Sequence, residues 1–121
     1  MTKKILVVDD EPDILKPYLF RLKKYGYEAL SASDGEEALE LARQKNPDLI
    51  LLDVKLPVLN GYEVCKRLKA DEKLRKVPVI FLTADASVKI VEETKKLEAE
   101  GYLLKPFEAN QLLEKIREFL P

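Results

Sequence analysis

The chain has 121 residues, a formal net charge of −1, one cysteine and no histidine. A chain of this length can bury a single core without disulfides or metal, and its balanced charge provides no global basic field for nucleic acid. The absence of histidine excludes serine–histidine and cysteine–histidine nucleophilic pairs and removes the commonest transition-metal ligand.

Apolar and helical patterns alternate along the chain from one end to the other. Continuous apolar runs predict strands, and apolar residues at helical spacing predict the segments between them. The predicted strands are 5–8, 27–32, 49–52, 79–82 and 101–104, and the second and fifth have the weakest patterns. The predicted helices begin at Pro12, run from Asp34 to a stop at Asn46-Pro47, cover about 62–70 and about 88–99, and begin again at Ala109. This order predicts one doubly wound α/β domain with a parallel sheet over residues 1–121.

Two residues inside the predicted helices have specific expectations. Pro17 lies within the first helix, where proline removes a backbone hydrogen bond and should kink or loosen that turn. Cys65, the lone cysteine, is expected to be a small buried hydrophobic residue, because no partner for a disulfide exists.

The location of the protein follows from what the sequence lacks. It contains no apolar run near the roughly 18 residues that span a membrane, and its amino terminus has no secretory signal pattern. Its four glycines are far apart and form no nucleotide-binding loop. We therefore expect a cytoplasmic protein that contacts neither membrane nor nucleic acid directly.

Polar residues follow four of the five predicted strands. Asp9 and Asp10 follow the first strand, Asp53 the third, Thr83 the fourth and Lys105 the fifth. The carboxyl ends of parallel strands meet at one edge of a sheet, which is also where such folds bind ligands. Three carboxylates and one ammonium leave two net negative charges, which one divalent cation would neutralise. These hard oxygen ligands predict a Mg²⁺ site, with Mn²⁺ as the alternative ion.

Four motifs resemble those of the receiver domain of bacterial two-component response regulators. They are "VVDDE" at 7–11, "LLDVKLPVLNG" at 51–61, "FLTAD" at 81–85 and "YLLKPF" at 102–107. Their order and spacing together are far more specific than any one of them. The resemblance implies a CheY-like (βα)5 fold, which is also called flavodoxin-like, with strand order 2-1-3-4-5.

The resemblance also implies a role for each residue of the strand-end cluster. Asp53 is expected to be the phosphoacceptor. Asp10 and Asp53 are expected to bind Mg²⁺ directly, Asp9 through water, and Lys55 through its backbone carbonyl. Thr83, Lys105 and the backbone amides of Lys55 and Ala84 are expected to hold the phosphoryl oxygens. The Lys105–Pro106 peptide bond is expected to be cis.

Signalling in such a domain requires two states. By resemblance, Thr83 and Tyr102 are the switch residues, and the output face consists of the fourth helix, fifth strand and fifth helix. The expected partners are a sensor histidine kinase or histidine phosphotransferase and a downstream protein on that face. We expect a monomer or a weak, phosphorylation-dependent dimer, and no enzymatic activity beyond phosphorylation and dephosphorylation of the domain itself.

Three positions depart from the receiver pattern. Leu56 stands where methionine is common, and Glu98 where a glycine is common, so the turn before the fifth strand is expected to differ. Lys55 stands two residues after Asp53, where small or acidic residues are usual. Its side chain is expected either to cover the phosphoryl group or to pair with Asp85, which would prolong the life of the acyl phosphate. The alternative is a solvated lysine with no kinetic role.

Other functions remain open from the sequence. The chain is expected to be a stand-alone relay or adaptor module, and the alternative is a receiver cut from a longer DNA-binding regulator or hybrid kinase. A hydrolase that passes through an aspartyl phosphate is a remote alternative, because such enzymes carry an acidic residue where this chain has Lys55.

Overall fold

Strands and helices alternate five times in the computed structural model, which describes residues 2–120. The strands are β1 (Lys4–Val8), β2 (Glu28–Ala32), β3 (Leu49–Asp53), β4 (Val79–Thr83) and β5 (Gly101–Leu104). The helices are α1 (Pro12–Lys24), α2 (Gly35–Lys45), α3 (Gly61–Ala70), α4 (Val88–Lys96) and α5 (Ala109–Phe119). The end positions of the predicted domain, Met1 and Pro121, lie outside the described residues.

The five strands form one parallel sheet in the order β2-β1-β3-β4-β5. This confirms the predicted doubly wound topology. The chain starts in the interior of the sheet, moves out to β2, and then crosses back to build β3, β4 and β5. The winding reverses between β1 and β3, so a crevice opens beyond the ends of these two strands.

Successive residues of the central strands face two separate apolar cores. Leu6, Val8, Ile50, Leu52 and Phe81 pack on the face covered by α2, α3 and α4. The intervening residues pack with buried positions of α1 and α5 on the other face; they are Ile5, Val7, Leu49, Leu51, Ile80 and Leu82. Because both faces are covered, each strand is a continuous apolar run and not an alternating one.

The ends of α2 agree with the sequence prediction. Asp34 accepts a hydrogen bond from the Glu37 N–H at 2.8 Å and caps the first turn. Asn46 ends the helix in the left-handed conformation with φ of 51°. Pro17 lies inside α1, and the helix continues through it from Pro12 to Lys24.

The predicted end of α4 was wrong by three residues. The helix stops at Lys96, because Glu98 adopts a φ of 60° and reverses the chain. The Ala99 N–H donates to the Thr94 carbonyl and the Glu98 N–H to the Lys95 carbonyl, which is the pair of bonds in a Schellman motif. Glycine is the usual residue at this position of the motif, so Glu98 takes the glycine conformation at a cost in backbone strain.

A polar clip joins α3 to the starts of β4 and β5. The Lys69 ammonium donates to both carboxylate oxygens of Glu100, at 2.9 and 3.1 Å, and to the carbonyls of Arg75 and Val77. Glu100 in turn accepts the Val79 N–H at 2.7 Å. The clip therefore satisfies backbone groups at the end of the sheet opposite the polar cluster.

Two further predictions concern burial and membranes. Cys65 is fully buried between α3 and the sheet, as expected, and burial raises the pKa of its thiol to about 11. Within residues 2–120, none of the helices has the length and apolar character needed to cross a bilayer.

Candidate functional site

The predicted polar residues meet at the carboxyl edge of the sheet. Asp53 is the last residue of β3 and Thr83 the last residue of β4, whereas Asp9 and Lys105 directly follow β1 and β5. The register places Asp53 beside Leu82 and Thr83 beside Leu104, so residues distant in sequence end at the same level. The topology alone therefore assembles the cluster.

Lys105 bridges two of the carboxylates. Its ammonium lies 3.2 Å from Asp9 Oδ2 and 3.2 Å from Asp53 Oδ2. The second oxygen of each carboxylate accepts a backbone N–H, from Glu11 to Asp9 at 3.0 Å and from Lys55 to Asp53 at 3.1 Å. Asp9 is fully buried and Asp53 nearly so, hence both charges depend on these partners for solvation.

The third carboxylate, Asp10, completes a group that is suited to a metal ion. Asp9, Asp10 and Asp53 each offer an oxygen, and the three oxygens lie within 4.8 Å of one another. Asp10 is exposed, so the group opens to solvent on one side. An all-oxygen donor set with an open side fits Mg²⁺, which keeps part of its water shell in protein sites.

The cluster perturbs the protonation of its members. Burial raises the pKa of Asp53, Lys105 opposes the rise, and the Asp9 charge adds to it. For Lys105, burial acts to lower the pKa, but the charges and hydrogen bonds of Asp53 and Asp9 outweigh it and the pKa is raised. The ammonium is therefore held charged between two carboxylates.

Gly61 allows the loop after Asp53 to fold tightly. The Gly61 N–H donates to the Val54 carbonyl at 2.8 Å. A β-carbon built at Gly61 would collide with the Asp53 carbonyl oxygen and approach Val54 Cα to 2.8 Å. Only glycine permits this close approach, so the "NG" of the second motif contributes directly to the placement of Asp53.

The same loop contains a strained turn at Val58. The Leu59 N–H donates to the Pro57 carbonyl at 2.6 Å, which closes a three-residue turn around Val58 with φ of 64°. A β-branched residue rarely adopts this conformation, and the Val58 side chain is fully exposed. The turn therefore carries local strain that no side-chain packing offsets.

Thr83 and its neighbours line the open side of the site. Thr83 is buried, and its hydroxyl oxygen accepts the Asp85 N–H at 3.0 Å. Asp85 accepts the Ser87 N–H at 2.9 Å, and this bond, with smaller contributions from Lys55 and Lys89, lowers the pKa of Asp85. The Lys55 side chain was expected either to cover the phosphoryl group or to pair with Asp85. The ion pairs of residues 2–120 do not include a direct pair between Lys55 and Asp85.

A cavity of about 500 Å³ lies in front of these residues. Its lining includes Asp10, Lys55, Thr83 and Asp85, together with Tyr62 and Lys89 from α3 and α4. Ala84, the other predicted backbone donor, is exposed at the start of the β4–α4 loop. The cluster is thus accessible to a partner from this side.

The remaining predicted residues lie on or beside β5. The Lys105–Pro106 peptide bond is cis, as the resemblance implied. Tyr102 is half-buried, pairs in register with Phe81, and lines a cavity of about 380 Å³ with Val91, Lys95 and Lys115. It belongs to the face formed by α4, β5 and α5.

Sequence reasoning missed one pair of residues beside the site. Tyr18 of α1 stacks on Phe107, with ring centroids 5.2 Å apart and an interplanar angle of 18°. Burial raises the pKa of Tyr18, Lys105 lowers it, and Asp9 and Asp53 raise it further, so three charges of the cluster act on its hydroxyl. In the sequence Tyr18 recurs with Leu15 and Leu22 at helical spacing, and that spacing could not show that its ring would reach the β5–α5 loop.

This fold, with this cluster of acids, hydroxyl and lysine at the carboxyl edge of its sheet, is that of a signalling receiver domain. Residues 5–117 match the response regulator receiver domain family. The chain belongs to this family, and thus to the two-component signalling proteins.

Similar proteins match this chain along nearly its full length. The chain is 40% identical over 120 residues to the polar-differentiation response regulator DivK of Brucella ovis, covering 99% of this chain and 98% of DivK. It superimposes on the chemotaxis protein CheY4 of Vibrio cholerae with a TM-score of 0.94 at 34% identity, covering 98% of this chain and 99% of CheY4. It also resembles the receiver domain of a Pseudomonas aeruginosa sensor histidine kinase, which was solved with magnesium in its active-site cleft, with a TM-score of 0.90 at 32% identity and coverage of 99% and 98%.

Proposed function

We propose that this protein is a phosphoacceptor in which Asp53 receives a phosphoryl group from a phosphohistidine. The donor would be a sensor histidine kinase or a histidine phosphotransferase, because the chain itself contains no histidine. The observation that carries the proposal is the Asp53 carboxylate, nearly buried at the edge of the sheet and held between the Lys105 ammonium and the Lys55 N–H. We place the protein in the cytoplasm, where such donors present their kinase domains.

The transfer exchanges one bond to phosphorus for another. An oxygen of the Asp53 carboxylate attacks the phosphorus in line, the P–N bond to the donor imidazole breaks, and an acyl phosphate forms. The imidazole nitrogen leaves with the electron pair of that bond and takes a proton from the donor or from solvent. Catalysis of such a loose transition state is mainly positioning and charge stabilisation.

The residues of the site fit these two tasks. Mg²⁺, held by Asp10 and Asp53 and by Asp9 through water, with the Lys55 carbonyl as a further ligand, would neutralise charge on the transferring group. Lys105 would pair with a phosphoryl oxygen, and the Lys55 and Ala84 amides would donate to others. Thr83 now accepts from Asp85 with a lone pair, so its own O–H stays available to donate to the phosphoryl group.

Phosphorylation would then shift the domain between two conformations. The bond from Thr83 to the phosphoryl oxygen exists in one state alone, which is the differential contact that a population shift requires. Movement of the β4–α4 loop would let the half-buried Tyr102 ring turn inward. The altered surface of α4, β5 and α5 would bind the downstream protein.

Lys55 supports a second part of the proposal, a long-lived acyl phosphate suited to a relay. Its side chain is exposed on the rim of the cavity in front of Asp53, without a direct ion pair to Asp85 in the described part of the chain. From there it can cover the phosphoryl group against attack by water. Dephosphorylation should therefore be faster in Lys55→Gly than in the wild type, and an equal or slower rate would reject this role.

In this role the domain accepts one phosphoryl group and does not turn over a substrate. A hydrolase that uses an aspartyl phosphate requires an acid–base residue near the nucleophile, and Lys55 occupies the position two residues after Asp53. Steady release of phosphate from phosphate esters, in excess of the protein concentration, would favour the hydrolase instead.

One experiment tests the central proposal. The protein is incubated with Mg²⁺ and acetyl phosphate, and its intact mass is recorded with and without chelator. We expect a Mg²⁺-dependent adduct of one phosphoryl group in the wild type and none in Asp53→Asn. The proposal fails if the wild type gains no adduct or if Asp53→Asn gains the same one.

A further inference from the structure

The stack of Tyr18 on Phe107 joins two elements that flank the site. Tyr18 projects from α1, and Phe107 lies in the loop between β5 and α5. Both rings pack against the apolar core that α1 and α5 share. The near-parallel rings, 5.2 Å apart, restrict how far the loop can move away from α1.

The restrained loop carries Lys105. Only Pro106 separates Phe107 from Lys105, and the Lys105 N–H donates to the Thr83 carbonyl at 2.7 Å on the opposite side. The backbone of Lys105 is thus fixed by β4 on one side and by the aromatic stack on the other. A lysine side chain has several rotatable bonds, so a fixed backbone is needed for the ammonium to meet Asp9 and Asp53 together at 3.2 Å.

Tyr18 also lies close enough to the site for the charges there to act on its hydroxyl. Lys105, Asp9 and Asp53 all contribute to the shifted pKa of its hydroxyl. Tyr27, which lies just before β2, packs against the same core at the opposite end of the sheet and is far from the cluster. It is therefore an aromatic residue that serves the core alone.

We propose that Tyr18 is a positioning residue for phosphoryl transfer, whose ring holds the Phe107 loop so that the Lys105 ammonium is aimed at Asp53. The inference rests on the proposed function of Asp53 and extends it to a residue outside the cluster of acids, hydroxyl and lysine. The ring carries the effect, and the hydroxyl is dispensable.

Three variants separate positioning from packing. Tyr18→Leu keeps an apolar side chain but removes the stack, and Tyr18→Phe keeps the ring. Tyr27→Leu removes an aromatic ring from the same core at the far end of the sheet. We expect similar losses of stability in the two leucine variants, measured by urea unfolding.

The phosphorylation rate should respond differently from stability. With Mg²⁺ and acetyl phosphate, well below the unfolding temperature, Tyr18→Leu should be phosphorylated about tenfold more slowly, because misplacing a catalytic group by about 1 Å can cost up to about a hundredfold in rate. Tyr18→Phe and Tyr27→Leu should stay within about twofold of the wild type. An unchanged rate in Tyr18→Leu, or an equal loss in Tyr27→Leu, would overturn the inference.

A second readout does not depend on phosphoryl transfer. The ¹⁵N-labelled ammonium signal of Lys105, assigned by its loss in Lys105→Arg, should be sharp and distinct in the wild type and in Tyr18→Phe. It should broaden or move towards the shift of exposed lysines in Tyr18→Leu. If the wild type is not phosphorylated at all, the proposed function fails, and this signal still decides the positioning role; an identical signal in all variants would refute it.

Discussion

Asp10 is the one carboxylate of the cluster that Lys105 does not contact, and removing it should make the metal-free protein more stable. Asp9 and Asp53 share the Lys105 ammonium, whereas Asp10 is exposed and lies within 4.8 Å of the other two acids. In Asp10→Ala the unpaired charge disappears without a loss of core packing. The same change removes a proposed Mg²⁺ ligand.

The distances set the size of the effect. The carboxylates of Asp9 and Asp53 each offer an oxygen within 4.8 Å of Asp10. Lys105 pairs with both and offsets one of these two charges, so we take one net negative charge at about 4.8 Å. Such a repulsion is about 3.5 kcal/mol at an effective dielectric of 20 and about 0.9 kcal/mol in bulk water. Because Asp10 is exposed, the lower value applies, and we expect a gain of about 1 kcal/mol, or about 4 °C in Tm for a domain of this size.

Mg²⁺ should reverse the order of stability, so that the wild type becomes more stable than Asp10→Ala. A ligand at about 100 times its dissociation constant stabilises the folded state by about 2.7 kcal/mol. The wild type should gain this amount and Asp10→Ala little of it. Thermal unfolding is measured in EDTA and in Mg²⁺, with Glu11→Ala as the control that removes an adjacent exposed acid outside the cluster. A less stable Asp10→Ala protein in EDTA, or an equal Mg²⁺ shift in both proteins, would refute the electrostatic reasoning.

Three further predictions concern backbone and burial. Gly61→Ala should lower stability by about 1–3 kcal/mol and slow the proposed phosphorylation of Asp53, because the added β-carbon meets backbone atoms. The control is Gly101→Ala, whose β-carbon would come no closer than 3.9 Å to Lys115, and it should be nearly neutral in urea unfolding. Glu98→Gly should raise the unfolding free energy by about 0.5–1 kcal/mol, because glycine adopts the left-handed conformation without strain; a loss of stability would contradict the assigned turn. Burial raises the pKa of Cys65 from 9.0 to about 11, so between these pH values the unfolded chain releases a proton that the folded state keeps. The contribution of the buried thiol to stability is therefore complete below pH 9 and is lost as the pH rises to 11. The stability advantage of wild type over Cys65→Ala should therefore shrink by about 2–3 kcal/mol over that range, and parallel pH curves would disprove it.

The sequence predicted the sheet and the cluster because both depend on simple patterns. Strands covered on both faces are continuous apolar runs, and parallel topology brings their carboxyl ends to one edge. Asp53 and Thr83 could therefore be placed together from strand patterns and topology alone. The two weakest strand patterns, β2 and β5, belong to the edges of the sheet, where burial is less complete.

Features that depend on long-range side-chain contacts could not be predicted. The clip between Lys69 and Glu100 joins residues 31 positions apart, and neither has a local pattern that marks it. The end of α4 was misplaced because Glu98 has no preference for the left-handed conformation that it adopts. The contact of Tyr18 with Phe107 depends on how α1 packs beside the β5–α5 loop, which periodicity cannot specify.

The strained, fully exposed turn at Val58 is a suitable position for attaching a probe to this protein. Cys65 is the only cysteine in the sequence, and its buried thiol stays protonated at neutral pH, so it is shielded from alkylating reagents. A Val58→Cys variant would thus carry one reactive thiol, five residues from Asp53, at a position where the native side chain packs against nothing. A fluorophore attached there would report whether the loop after Asp53 changes its surroundings when Mg²⁺ and acetyl phosphate are added, without disturbing the core.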